Sequence, residues 1–112
     1  MKRNLRNEII ENLNEKGRVE IYSSILDHFE KGTHCVPYSW GEDYFIKIIP
    51  NPGGNKMLLH FGRRLFKRVG GKWIIHETFY KIKNKEVKSE KELEFILNST
   101  LFTEFVNSVN WD

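Results

Sequence analysis

The chain has 112 residues, a formal net charge of +3 and a sequence pI of about 9.0, with 29% charged and 13% aromatic residues. That length supports one hydrophobic core but not two, so a single domain over residues 1–112 is expected, and the composition excludes disordered and fibrous classes. A single cysteine, Cys35, excludes an intramolecular disulfide and fits a reducing compartment, while the start, Met-Lys-Arg-Asn-Leu-Arg-Asn-Glu, has no apolar signal-peptide core. A cytoplasmic protein with no membrane partner is therefore expected.

Leu5, Ile9, Ile10 and Leu13 recur at helical spacing, and Gly17 follows as a C-terminal cap would, which predicts a first helix. A second helix is predicted from about Arg18 to Lys31, with Val19, Tyr22, Ile25, Leu26 and Phe29 on one stripe and Gly32 closing it. The following GTHCVPYSWGED reads as a connection in which Trp40 anchors onto the core. His28, His34 and Cys35 lie in or near it, but one thiolate and two imidazoles do not make a structural zinc site or an oriented nucleophile pair. No metal, cofactor or catalytic residue is expected.

Asp43 to Pro50, DYFIKIIP, predicts a strand, ended by the turn cluster Asn51-Pro52-Gly53-Gly54-Asn55. A phosphate-cradling loop leads from a strand into a helix, whereas this one leads into another strand. Lys56 to Ile82 then carries two apolar and aromatic runs joined by Gly70-Gly71, a hairpin signature. With those glycines as the turn, Arg68 faces Trp73, Phe66 faces Ile75, Arg64 faces and pairs with Glu77, and Phe79 covers Gly62. Both faces of that hairpin are mixed, which means cover on both sides, an exposed basic aromatic surface, or a bulge near Gly62-Arg63 that switches the parity. His60 and His76 fall on opposite faces and make no paired site.

Lys83 to Lys91 reads as an exposed, lysine-rich connection. Ser89 with Glu92 forms a capping box for a last helix that carries Leu93, Ile96, Leu97, Leu101, Phe105, Val106 and Val109. Leu93, Leu97 and Leu101 are expected to bury against the sheet, with a kink or break allowed at Asn98-Ser99-Thr100. The expected fold class is α+β: two N-terminal helices, a three-stranded antiparallel sheet, and a C-terminal helix packed on it. From Arg18 onward the order helix, three strands, helix resembles the double-stranded RNA-binding domain in element order only. That family's lysine run is answered here by Lys88 and Lys91 alone, and no functional residue carries over.

From Lys47 to His76 the chain has no acidic residue, whereas Glu92 to Asp112 has four acids and neither Lys nor Arg. The hairpin is thus the basic part of the molecule. The expected function is a non-enzymatic binding protein that contacts nucleic acid through Lys56, Arg63, Arg64, Lys67, Arg68, Lys72 and Trp73, with aromatics placed to stack on unpaired bases. The alternative is a protein-binding inhibitor or adaptor, of the kind a mobile element would carry, that docks the same surface on an acidic protein or nucleoprotein.

Overall fold

The structure, a computed structural model, describes residues 4–29, 39–54 and 56–111. Helix α1 (Leu5–Lys16) begins where the Asn4 side chain accepts the Asn7 amide at 3.2 Å. It ends where Gly17, at φ 69°, turns its own N–H back to the Leu13 carbonyl. Leu5 and Ile9 are its buried side chains.

The expected second helix is absent. Strands β1 (Val19–Tyr22) and β2 (Leu26–Phe29) occupy its place, both antiparallel to β3 (Ser39–Pro50). Val19 and Ile21 are buried while Glu20 between them is exposed, a period of two that suits β-branched residues on a sheet. The helical spacing of the longer stretch was a coincidence, overridden because Val19 and Ile21 find Ile48 and Ile46 across the ladder. Between the two strands Ser23 carries the pairing one step further. Its N–H donates to the Tyr44 carbonyl at 3.0 Å, and its hydroxyl accepts the Tyr44 N–H at 2.8 Å.

The sheet continues through β4 (Met57–Val69) and β5 (Lys72–Val87) in the order β1-β3-β4-β5, with β2 following β1 along the same edge of β3. This corrects the expected three-stranded sheet, and with the second helix gone the likeness to the double-stranded RNA-binding domain lapses. Gly70 and Gly71, at φ 59° and 78°, make the two-residue turn that joins β4 to β5. Trp40 belongs to β3 rather than to a loop. The lysine-rich stretch expected to be a connection is mostly strand, since β5 runs on to Val87.

Two short helices, α2 (Glu90–Leu97) and α3 (Thr100–Asn107), replace the single C-terminal helix. Ser89 caps the first as its spacing with Glu92 predicts. Ser99 ends it and caps the second: its hydroxyl donates to the Ile96 carbonyl at 2.6 Å and accepts the Phe102 amide at 3.3 Å. The break re-aims the apolar stripe. Leu93, Ile96, Leu97, Phe102 and Phe105 are buried, but Leu101 is 44% exposed and does not pack on the sheet as expected.

All three helices pack on one face, over Ile46, Ile48, Leu59, Phe61 and Val87. Phe61 lies at their centre, with ring centroids 5.4 Å from Phe102 and 4.9 Å from Phe105, and each such fully buried side chain contributes about 1.5–3 kcal/mol. A strand of 13 residues such as β4 is roughly 43 Å long, whereas an eight-residue helix covers about 12 Å. The helical layer therefore shields only the end of the sheet near the 51–56 turn. Among the described residues no helix is long and apolar enough to cross a membrane.

Candidate nucleic-acid interface

No helix of the described residues packs on the other face of the sheet, which carries Tyr22, Phe45, Lys47, His60, Arg64, Phe66, Trp73, Ile75, Thr78 and Tyr80. Their placement depends on β5, whose register against β4 slips between Leu59 and Phe61, between Phe61 and Gly62, and between Leu65 and Phe66. The last slip leaves His76 as an extra residue, so Arg64 faces Thr78, Glu77 faces Leu65, and Gly62 faces Tyr80. A bulge near Gly62-Arg63 is one of three explanations for the mixed faces, and the slips at Phe61/Gly62 and Leu65/Phe66 bracket that pair, with the extra residues on β5. Gly62 is where the two backbones meet: a Cβ there would stand 2.1 Å from the Phe79 carbonyl oxygen and 2.9 Å from the Tyr80 Cα. Backbone, not the Phe79 ring, covers the glycine.

Arg64 pairs with Asp43 across β3 and β4, not with Glu77. Its Nε donates to Asp43 Oδ1 at 2.8 Å and its Nη2 to Asp43 Oδ2, and Asp43 is only 2% exposed. The guanidinium also stacks on Tyr22, 4.3 Å from the ring centroid, and on Phe66, 4.9 Å away. Arg63 lies on the helix-side face, bound to Glu42 at 2.8 Å and over Phe79 at 4.5 Å. Lys56 reaches Glu86 at 3.4 Å beside the 51–56 turn, and Lys67 shares the Arg63 face. Lys72 is exposed beside the Gly70-Gly71 turn. Arg68 and Trp73 sit together on the uncovered face, guanidinium 5.4 Å from the indole, whose far edge covers Gly41. The seven residues singled out from the sequence are thus divided between the two faces and the two ends of the hairpin.

The uncovered face instead holds a shallow bowl of about 280 Å³, lined by Phe45, Lys47, Ile49, His60, Arg64, Ile75, Thr78 and Tyr80. Tyr80, 45% exposed, stands against Phe45 at 5.7 Å and near His60 at 6.0 Å, and the Lys83 ammonium lies 4.9 Å from its ring. His60 accepts the Asn84 N–H at Nδ1, 3.1 Å, which fixes Nε2 as the protonated nitrogen of the neutral ring. Burial first, then the charges of Lys47 and Lys83, push its pKa below the usual histidine value. Asn84 takes up this position at φ 55°, a conformation asparagine tolerates. Among the described residues neither Lys47 nor Lys83 has a carboxylate at ion-pair distance.

A larger cleft of about 540 Å³ opens on the helix side, between Tyr44, Arg63, Phe79, Lys81 and Phe105. Two of its polar groups are paired through one carboxylate: the Tyr44 hydroxyl donates to Glu42 at 2.8 Å, and Glu42 also holds Arg63. Burial, then that hydrogen bond, raises the Tyr44 pKa.

Sequence reasoning missed Lys47, His60, Tyr80 and Lys83 as a group. An unbroken register, with Phe79 opposite Gly62, puts Tyr80 on the face opposite His60, and Lys83 lies in the stretch expected to be a connection. The alternation Lys81-Ile82-Lys83-Asn84-Lys85, with asparagine as its irregular member, was the signal that β5 continues and bulges. Among the described residues no three His, Cys, Asp or Glu side chains lie together as a metal site would need, and His34 and Cys35 fall outside those residues. No protein-family model matches this chain, and neither curated proteins nor solved structures provide a match to it.

Proposed function

We propose that this protein is a non-enzymatic nucleic-acid-binding domain that holds a single strand across the uncovered face of its sheet. The observation that carries this reading is the bowl, where the exposed Tyr80 ring has the Lys83 ammonium 4.9 Å from its centroid and shares the lining with Lys47, which lies over Tyr22; among the described residues neither ammonium is at ion-pair distance from a carboxylate. A base stacked on an aromatic side chain is worth about 1–3 kcal/mol, more than the roughly 0.5–1 kcal/mol of an exposed cation–π contact. Lys83 therefore gains by leaving the Tyr80 ring to a base and moving to a phosphate. Trp73 and Arg68 extend the same face toward the hairpin turn.

Duplex binding by the protruding hairpin has less support, because Glu42 and Asp43 neutralise the two arginines nearest its middle. An enzymatic role has less support too. Asp43 is held by Arg64 and His60 Nδ1 by a backbone amide, so the acid–base groups of that face serve the fold.

The test is fluorescence anisotropy with a short labelled single strand, and with the same sequence as duplex, from about 50 to 200 mM salt. Single-strand affinity should fall with a log–log slope of about −1.4, two phosphate contacts at roughly 0.7 each. Replacing Lys47 and Lys83 with Gln should flatten that slope. No binding at low salt, or binding indifferent to Lys47, Lys83 and Tyr80, overturns the proposal. Salt-sensitive binding of an acidic protein through these residues instead would make the face a docking surface.

A further inference from the structure

Resting on that reading, we infer that the bowl is a subsite for one nucleotide, its base against Tyr80 and its phosphate between Lys47 and Lys83. Size sets the first limit. At about 280 Å³ the bowl lies just under the usual range of small-molecule pockets, about 300–1,000 Å³, so a single base with its sugar and phosphate fills it. Chemistry sets the second. Phe45, Ile49, Ile75 and Tyr80 give an apolar and aromatic wall, and the polar groups converge from three strands.

From β3 comes Lys47. From β4 come His60 and Arg64, the latter with its charge already held by Asp43. From β5 come Thr78 and Tyr80, with the Lys83 ammonium at the rim, 4.9 Å from the Tyr80 ring. The unneutralised charge is therefore that of two ammonium groups, which suits one phosphate. His60 Nε2 is the protonated nitrogen, a donor for a base carbonyl, because Nδ1 is taken by the Asn84 amide. A neutral aromatic ligand would leave the two ammoniums unanswered, and a bare anion would leave the aromatic wall unused.

A free mononucleotide and a nucleotide within a strand share this chemistry, and the experiment separates them. Amide and imidazole NMR spectra are recorded while the protein is titrated with uridine monophosphate, uridine, or inorganic phosphate. The monophosphate should shift Lys47, His60, Tyr80 and Lys83 and bind at least about tenfold more tightly than either fragment. Bound phosphate should also raise the His60 pKa, since it neutralises the Lys47 and Lys83 charges that lower it. Lys47→Gln, at a half-buried position, and Lys83→Gln, at an exposed one, should abolish the preference for the monophosphate over uridine and remove the rise in His60 pKa. Arg68→Gln, outside the bowl, should weaken strand binding and leave the monophosphate unaffected.

If a strand binds but the monophosphate shifts nothing in the bowl, the subsite is refuted while the single-strand reading stands. If the monophosphate fills the bowl and no strand binds, the subsite holds for a free nucleotide and the strand reading falls. If neither binds, both are overturned.

Discussion

Arg64→Ala is expected to remove a large part of the protein's stability rather than merely to weaken binding. The Asp43 carboxylate is 2% exposed and takes two hydrogen bonds from the guanidinium, so removing Arg64 leaves a buried charge unanswered. Breaking a buried pair in this way costs about 3–5 kcal/mol, and because 18% of the Arg64 side chain is accessible, water relieves part of it. The low end, about 3 kcal/mol, applies, with the lost stacking on Tyr22 and Phe66 within that figure. A domain of this size has about 5–15 kcal/mol in total, so the midpoint should drop by roughly 12 °C at about 4 °C per kcal/mol.

Urea unfolding followed by circular dichroism measures the loss. The double variant Arg64→Met/Asp43→Leu, which removes both charges, should recover to within about 1 kcal/mol of wild type. A single variant within about 0.5 kcal/mol of wild type refutes the reasoning, as does a double variant no better than the single. The consequence for function is direct: charge reversal at Arg64 reads out stability, so binding must be tested at Lys47, Lys83 and Arg68.

Gly62→Ala should cost about 3 kcal/mol or more, because the new methyl meets the β5 backbone at Phe79 and Tyr80, which cannot rotate away. Gly54→Ala, with nothing nearer than 3.8 Å, is the control, and equal thermal midpoints for the two would refute the close approach. His60 gives a pH dependence of known sign. Its folded-state pKa lies below the ordinary 6.5, so as pH falls through 6.5 the unfolded chain takes up the proton first and stability declines, levelling off below the folded-state pKa. His60→Asn, whose side-chain oxygen can accept the Asn84 amide, should remove that step from the stability-against-pH curve. An unchanged curve would assign the step elsewhere.

Features that a few neighbouring residues decide were legible without the fold. The α1 boundary at Gly17, the Gly70-Gly71 turn and the Ser89 cap each depend on one backbone conformation or one side-chain hydrogen bond within four residues, so local chemistry settles them. The concentration of Lys and Arg between Lys47 and His76 was equally plain.

What required tertiary structure was everything set by a distant partner. Val19-Glu20-Ile21-Tyr22 satisfies a helical and a strand pattern alike, and the choice is made by Ile46 and Ile48, more than twenty residues away. Whether Arg64 answers Glu77 or Asp43 depends on an extra residue at His76. That residue and the two slips around Phe61 flank Gly62, where the β5 backbone comes so close that a side chain would block it. A strand's side chains change face with every residue, so the slip at His76 alone decides that Tyr80 joins Lys47 and His60 on the uncovered face.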